Sequence, residues 1–190
     1  MKTTLFYVVL LVFLYPSSVF AEWEAYVVNV FDGDTLIVSR DGNAEIIRLY
    51  GIDCPEKKQP YGLKAKDLTI DLVAGGKIRV IPMDNGRYLN CKVYIGDQCL
   101  NEELLKAGYA WYLHDSSEEK WATIAKKAKS LKRGLWSKKN PTPPWKFKGN
   151  NKMENESQID QSIHTIKWGT KHGRSVQSPK PIRKKRYRRR

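Results

Sequence analysis

The sequence predicts an α+β protein: an OB-fold-like five-stranded β-barrel with three packed helices, followed by a disordered basic tail. Three observations carry that expectation. Two blocks of short, partly alternating apolar runs, residues 24–52 and 77–100, read as three strands and then two. A stretch of helical period at 61–74 separates the blocks, and two more helical stretches follow the second. Five short strands with one helix ahead of the fourth suit a small closed barrel.

The chain opens on Lys2, an unbroken apolar run from Leu5 to Leu14 and then "YPSSVFA", with Val19 and Ala21 at the small-residue positions of a cleavage site. This has the form of a secretory signal peptide over residues 1–21, and the run is short of the ~20 residues of a membrane span. No Cys follows Ala21, which argues against a lipid anchor. The expectation is a secreted or periplasmic protein starting near Glu22, with no stable membrane insertion after cleavage.

In the first block Val28, Val30, Leu36, Val38, Ile46 and Leu49 alternate in part, and "DGD" and "RDGN" punctuate them. Gly42 and Asn43 tolerate positive φ, so "RDGN" predicts a hairpin turn. Ala65, Leu68, Thr69, Leu72 and Val73 mark the first helix, ended by Gly75-Gly76. "KIRVIPM" and "LNCKVYIGDQCL" return to strand, the second turning at Gly96-Asp97. Asn101 is expected to cap a helix over "EELLKA", stopped by Gly108. Ser116 with Glu119 reads as a capping box for a third helix. Its apolar stripe is Trp121, Ile124, Ala125, Ala128 and Leu131, and Gly134 stops it. "NPTPPWKFKG" is expected to wrap as an extended segment, since its prolines oppose regular structure.

The domain thus runs over 22–149 and the tail over 150–190. The net charge of +14 is uneven: residues 150–190 carry 12 Lys/Arg against 3 Asp/Glu, and residues 22–149 carry 21 against 17. The folded part is only mildly basic. Apolar residues thin out beyond Gly149, and no period survives there. Cys54, Cys91 and Cys99 are odd in number, so at least one has no partner within the chain. Their spacing matches no zinc-thiolate pattern.

Two acidic loops carry the chemistry. "FDGDT" holds Asp32 and Asp34 at a turn between strands, and "RLYGIDCPE" holds Arg48, Asp53 and Glu56. Barrel closure would bring the strand ends bearing Asp34 and Asp53 together. Carboxylates with a backbone carbonyl suit Ca²⁺ better than the stricter octahedron of Mg²⁺. The fork of Arg48 can grip a phosphate, and Glu56 can draw a proton from water. Metal, arginine and base together meet the needs of phosphodiester hydrolysis. The bland alternatives are an ordinary Asp-Gly-Asp turn and a surface Arg–Glu pair.

"VFDGDTLIV", "IIRLYGIDCPE", "GRYL", "NEELLKAGYAW" and "RGLW" resemble the staphylococcal-nuclease-like (thermonuclease) family, and "NPTPPWKFK" resembles its secreted bacterial members. The resemblance covers roughly residues 24–148. Its specific part is the spacing: fourteen residues from Asp34 to Arg48, five on to Asp53 and three more to Glu56. It implies a Ca²⁺-dependent endonuclease that hydrolyses DNA and RNA with little sequence specificity and leaves 3′-phosphates. By this resemblance Asp34, Asp53 and the Cys54 backbone carbonyl hold the metal, and Asp32 orients it from behind. Arg48 binds the scissile phosphate, and Glu56 acts as general base or water-positioning group.

The family's second catalytic arginine lies in an Asp-x-Tyr-Gly-Arg loop, which here is "MDNGRYLNCKV", one residue shorter. Counting back from Asn101 puts Tyr88 in the arginine's slot and Arg87 one residue early; Arg87, reaching by a local bulge, is the preferred candidate. Tyr109, Trp111, Tyr112 and His114 lie near where family members stack a base. Packing is favoured for Trp111, and both roles stay open for Tyr112 and His114. The tail "KPIRKKRYRRR", with Arg183, Lys184, Lys185 and Arg186, would bind a polyanion by counterion release. A monomer acting on DNA and RNA is expected. The competing readings are an OB-type nucleic-acid-binding module without catalysis and a nuclease with an altered metal requirement.

Overall fold

In the computed structural model the described residues are 21–74, 76–113, 118–147 and 157–162; the Asn85 side chain is not among them. The first block forms β1 (Trp23–Val30), β2 (Thr35–Arg40) and β3 (Asn43–Leu49). The β2–β3 turn carries φ of 50° at Asp41 and 81° at Gly42, the pair of positive values that a two-residue hairpin of matching twist requires. A two-residue strand, β4 (Ile52–Asp53), precedes helix α1 (Gly62–Leu72). The second block forms β5 (Lys77–Asn85), β6 (Leu89–Ile95) and β7 (Gln98–Cys99). Helix α2 (Leu100–Ala107), strand β8 (Trp111–Tyr112) and helix α3 (Glu119–Ser130) follow. Two 3₁₀ turns, Gly134–Ser137 and Pro144–Lys146, and a short helix α4 over 157–162 end the described chain.

The sheet order is β3-β2-β1-β5-β6-β7, and a parallel pairing of β3 with β6 closes the first five strands into a barrel. This is the expected OB-like architecture. The core is the inward face of those strands, where Val27, Leu36, Val38, Ile47, Val80 and Val93 are essentially inaccessible. Helix α2 plugs one end with Leu100, Leu104 and Leu105, and α3 packs over it through Trp121.

Several local expectations are corrected. Asn101 does not cap α2; Cys99 holds that position, and Asn101 lies inside the helix with its amide wholly buried. It accepts the Val93 N–H at 3.1 Å and donates to the carbonyls of Tyr50 at 2.9 Å and Cys91 at 3.3 Å. Helix α3 begins after Glu118, so Glu119 is its first residue and cannot close a capping box; Ser116 lies outside the described residues. Leu131 falls beyond the end of α3 and is 52% exposed, so the stripe stops at Ala128. Pro144 opens a 3₁₀ turn in the stretch expected to be extended, because its fixed φ suits a first helical position. The tail expected to be disordered from residue 150 contains α4, which buries Ile159 to 1% exposure. Ile159 is the apolar contact of this short helix, in a stretch where composition alone forecasts none.

All three cysteines are buried and unpaired. Among the described residues no helix is long and apolar enough to cross a membrane, and the expected signal peptide lies outside them.

Candidate active site

Strand register assembles the first part of the site. Thr35 faces Arg48 across the β2–β3 ladder, which sets Asp34 beside the arginine. The Asp34 carbonyl accepts the Leu49 N–H at 2.9 Å and locks that pairing. The two-residue ladder between β4 and β8 pairs Asp53 with Trp111 and holds the second acidic loop against the barrel. The Cys54 N–H then donates to Asp34 Oδ2 at 2.5 Å, while the Thr35 hydroxyl donates to Asp34 Oδ1 at 3.1 Å. The Asp34 N–H donates to Asp32 Oδ1 at 3.2 Å.

Gly33, between the two aspartates, is required by close approach. A Cβ there would stand 2.7 Å from the Ala65 Cβ and 2.8 Å from the Cys54 Sγ. Its carbonyl accepts the Thr69 hydroxyl at 2.6 Å, so α1 braces the turn from behind.

Glu56 is held by a residue the sequence reading passed over. Gln59 Oε1 accepts the Glu56 N–H at 2.7 Å, and the Gln59 N–H donates to the Glu56 carbonyl at 2.7 Å. The buried Gln59 amide also donates to the Thr142 carbonyl at 3.2 Å, tying this turn to the proline-rich segment. Gly62 lets the chain pass, since a Cβ there would lie 2.1 Å from the Glu56 carbonyl oxygen. The Glu-x-x-Gln spacing was the one available signal for this clamp.

Asp34, Arg48 and Asp53 line an open cavity of about 380 Å³, with Asp84 and Asn90 on its β5–β6 side. Asn90 donates to Asp84 Oδ1 at 2.5 Å, fixing that wall. Burial disfavours the Arg48 charge, but Asp34, Asp32, Asp53 and Glu56 together outweigh it and raise its pKa. Its Nε is nonetheless buried with no hydrogen-bond partner. Burial and the neighbouring Asp34 push the Asp32 carboxyl well above its usual range. Burial and the charges of Asp34, Asp32 and Asp53 likewise keep the Cys54 thiol protonated, so its sulfur is not a thiolate ligand.

Four carboxyl groups thus act on one guanidinium, and burial with the neighbouring Asp34 favours the neutral form of Asp32. Among the described residues no three Asp, Glu, His or Cys side chains group into a metal cage. The donors that fit a cation are fewer: the Asp34 and Asp53 carboxylates on the cavity wall, where Asp84 is taken up by Asn90, and main-chain oxygen. Hard oxygen donors and uncompensated negative charge suit Ca²⁺, with water completing the shell.

The structure therefore brings together Asp32, Asp34, Arg48, Asp53, Cys54 and Glu56. Arg87 stands apart from that wall: it is 60% exposed, and its guanidinium lies 3.6 Å from the Asp160 carboxylate on α4. The Tyr88 ring centroid is 5.5 Å from the guanidinium carbon of Arg48 and 5.5 Å from that of Arg87, and its hydroxyl is buried without a partner. Tyr112 sits in β8 opposite Ile52 and is half-buried. Trp111 packs edge-on against Trp136 and Trp145 with ring centroids 4.6 and 5.6 Å away, as expected of a packing residue. His114, Arg183, Lys184, Lys185 and Arg186 lie outside the described residues.

A family model described as staphylococcal nuclease homologue matches residues 46–138. An uncharacterized endonuclease of Escherichia coli O157:H7 is 38% identical over 144 residues, which cover 73% of this chain and 94% of that protein. An uncharacterized endonuclease of Haemophilus influenzae is 35% identical over 131 residues, 67% of this chain and 74% of its own. A staphylococcal-like nuclease of Arabidopsis thaliana is 37% identical over 114 residues, 57% of this chain and 35% of its own length.

Proposed function

The chain belongs to the staphylococcal nuclease homologues, and we propose that it is a secreted, Ca²⁺-dependent endonuclease that cuts DNA and RNA and leaves 3′-phosphates. The observation that carries the reading is Arg48, a half-buried guanidinium on the wall of an open cavity, kept charged by Asp34, Asp32, Asp53 and Glu56. A structural ion pair would be saturated by its carboxylate. This one faces an open cavity and has donor capacity to spare for a phosphate.

In this reading the scissile phosphate lies in the cavity with Arg48 on its non-bridging oxygens, whose attraction to that fixed charge grows as they gain negative charge in the phosphorane. Glu56, oriented by Gln59, takes a proton from a water that attacks phosphorus. A new P–O bond forms, the P–O5′ bond breaks, and the 5′-oxygen leaves with a proton from solvent. When bound by Asp34, Asp53 and the Cys54 carbonyl, Ca²⁺ supplies the positive charge that offsets the carboxylates and the phosphate oxygens. Asp32 orients Asp34 from behind through the Asp34 N–H. Arg87, outside the cavity wall, is the candidate for a second phosphate contact, and Tyr88 steadies both guanidinium groups by cation–π attraction.

The test is to incubate the purified protein with single- and double-stranded DNA and RNA in Ca²⁺, Mg²⁺ or chelator. Cleavage in Ca²⁺ is expected, giving 5′-hydroxyl ends that accept a radioactive phosphate directly. Binding without cleavage in every condition would make the chain a binding module, and cleavage in chelator would remove the calcium assignment. On fractionation of cells the protein is expected outside the cytoplasm with its N-terminus at Glu22; retention in the cytoplasm would overturn secretion, and an intact Met1 end would overturn cleavage.

A further inference from the structure

Helix α4 is not simply laid on the barrel; it completes a second concave surface. A polar crevice of about 390 Å³ lies between α4, the end of β1 and the start of α1. Lys57 and Lys66 supply its charge, Phe31 supplies an aromatic wall, and Gln158 and Gln161 contribute amides from α4. Two chain neighbours tie it to the active site: Phe31 precedes Asp32, and Lys57 follows Glu56. Adjacent Cα atoms are ~3.8 Å apart, so the crevice begins where the catalytic loops end.

The charges of these two ammonium groups are only partly offset by the fold. Burial presses the Lys66 ammonium toward losing its proton, Lys57 adds to that, and Asp32 and Asp67 oppose it more weakly. Such an arrangement is relieved by an anion. The aromatic face beside it and the amides opposite add what a base would use: a stacking platform and hydrogen-bonding groups. On the other side of α4 the Asp160 carboxylate faces Arg87, so its polar residues divide between the catalytic hairpin and the crevice. Ile159 anchors the whole turn.

We infer that this crevice is a nucleotide subsite, taking one phosphate-and-base unit of the substrate strand beyond the scissile bond. The phosphate lies on Lys57 and Lys66, and the base stacks on Phe31. The inference rests on the nuclease reading for what the strand is, but it makes its own claim about binding: affinity depends on α4 and on strand length.

The experiment measures dissociation constants of full-length protein for single-stranded thymidine oligonucleotides of two to twelve nucleotides, in chelator. Lys57→Gln with Lys66→Gln is expected to weaken the longer oligonucleotides about fivefold while barely moving the dinucleotide. The same variant flattens the salt dependence by about 0.7, the value for one phosphate contact on a single strand. Lys126→Gln with Lys127→Gln, on the exposed side of α3, removes equal charge and is expected to change neither pattern by as much. Ile159→Ser, which undocks α4 and keeps every tail charge, is expected to weaken long oligonucleotides as the crevice pair does. Equal losses in crevice and control pairs, a loss independent of length, or unchanged or tighter binding by Ile159→Ser would each overturn the subsite. Because no cleavage is read, length-dependent binding by a protein that never cuts would sink the nuclease reading and leave the subsite standing.

Discussion

At Arg48 two opposing effects meet, since burial disfavours the guanidinium's charge and four carboxylates favour it. The carboxylates win, so the group stays a fixed cation on the cavity wall. Arg48→Ala is therefore expected to lower kcat by about 10²–10³, the scale of one lost transition-state donor, with far-UV dichroism unchanged. Arg48→Lys is expected to recover little, because an ammonium cannot reproduce a bidentate fork; full activity in either variant would remove the mechanism. The thiols make a second residue-scale case. Burial, with Asp84 and Glu45, pushes the Cys91 thiol up to about 12, and burial likewise raises Cys54 and Cys99. At pH 8 the native protein is expected to react negligibly with a thiol-specific chromogen and to release its three thiols only in denaturant. Fast native reaction would mean the buried strands open readily. The Asp34, Arg48, Asp53, Glu56 set was legible because its chemistry is rare at those spacings. Gln59 was not, because glutamine is an ordinary surface residue until a fold encloses its amide.

Among the elements, the long ones were legible and the short ones were not. Strands β1 to β3 and helix α1 carry enough residues for a period to show, whereas β4 and β8 are two residues each and have none. That short ladder nonetheless places Asp53. Asn101 misled for a different reason: asparagine ahead of two glutamates has the look of a cap, and only the assembled barrel shows three backbone groups waiting for its amide. Asn101→Ala leaves the Val93 N–H and the Tyr50 carbonyl without that partner. At ~1–3 kcal/mol for each stranded group the variant is expected to lose about 3 kcal/mol, read as a lower urea midpoint with unchanged slope. A loss below about 1 kcal/mol would mean water replaces the amide. Gly33→Ala acts on the neighbouring contact. Its Cβ would meet Ala65 and Cys54 at under 3 Å, so α1 or the β4 loop must retreat. The expected result is about 1–3 kcal/mol of destabilisation with a larger proportional loss of activity.

Over the whole molecule, charge is sorted into an acidic centre, a crevice holding two lysines and a tail whose residues from 150 to 190 carry 12 Lys/Arg against 3 Asp/Glu. The composition announced the tail, but only the closed barrel shows that four carboxylates converge on one arginine. Asp32 is where a charge is least favourable: burial first and the neighbouring Asp34 second raise its carboxyl, against the opposing pull of Arg48. Functional sites commonly hold such destabilising charge, and a bound cation relieves it. Calcium at a hundred times its dissociation constant should stabilise the fold by about 2.7 kcal/mol, because it binds only the assembled loops. For a domain of this size that is a rise in Tm of about 5–11 °C, abolished by chelator. Asp32→Asn separates the two sides of the argument. The amide oxygen can still accept the Asp34 N–H, while the buried charge beside Asp34 is gone. The variant is therefore expected to melt higher than the parent in chelator and to gain less from Ca²⁺, so that the two curves converge or cross as calcium is added. A lower melting point in chelator would show that the Asp32 charge supports the fold, and an undiminished calcium shift would show that it has no part in holding the metal.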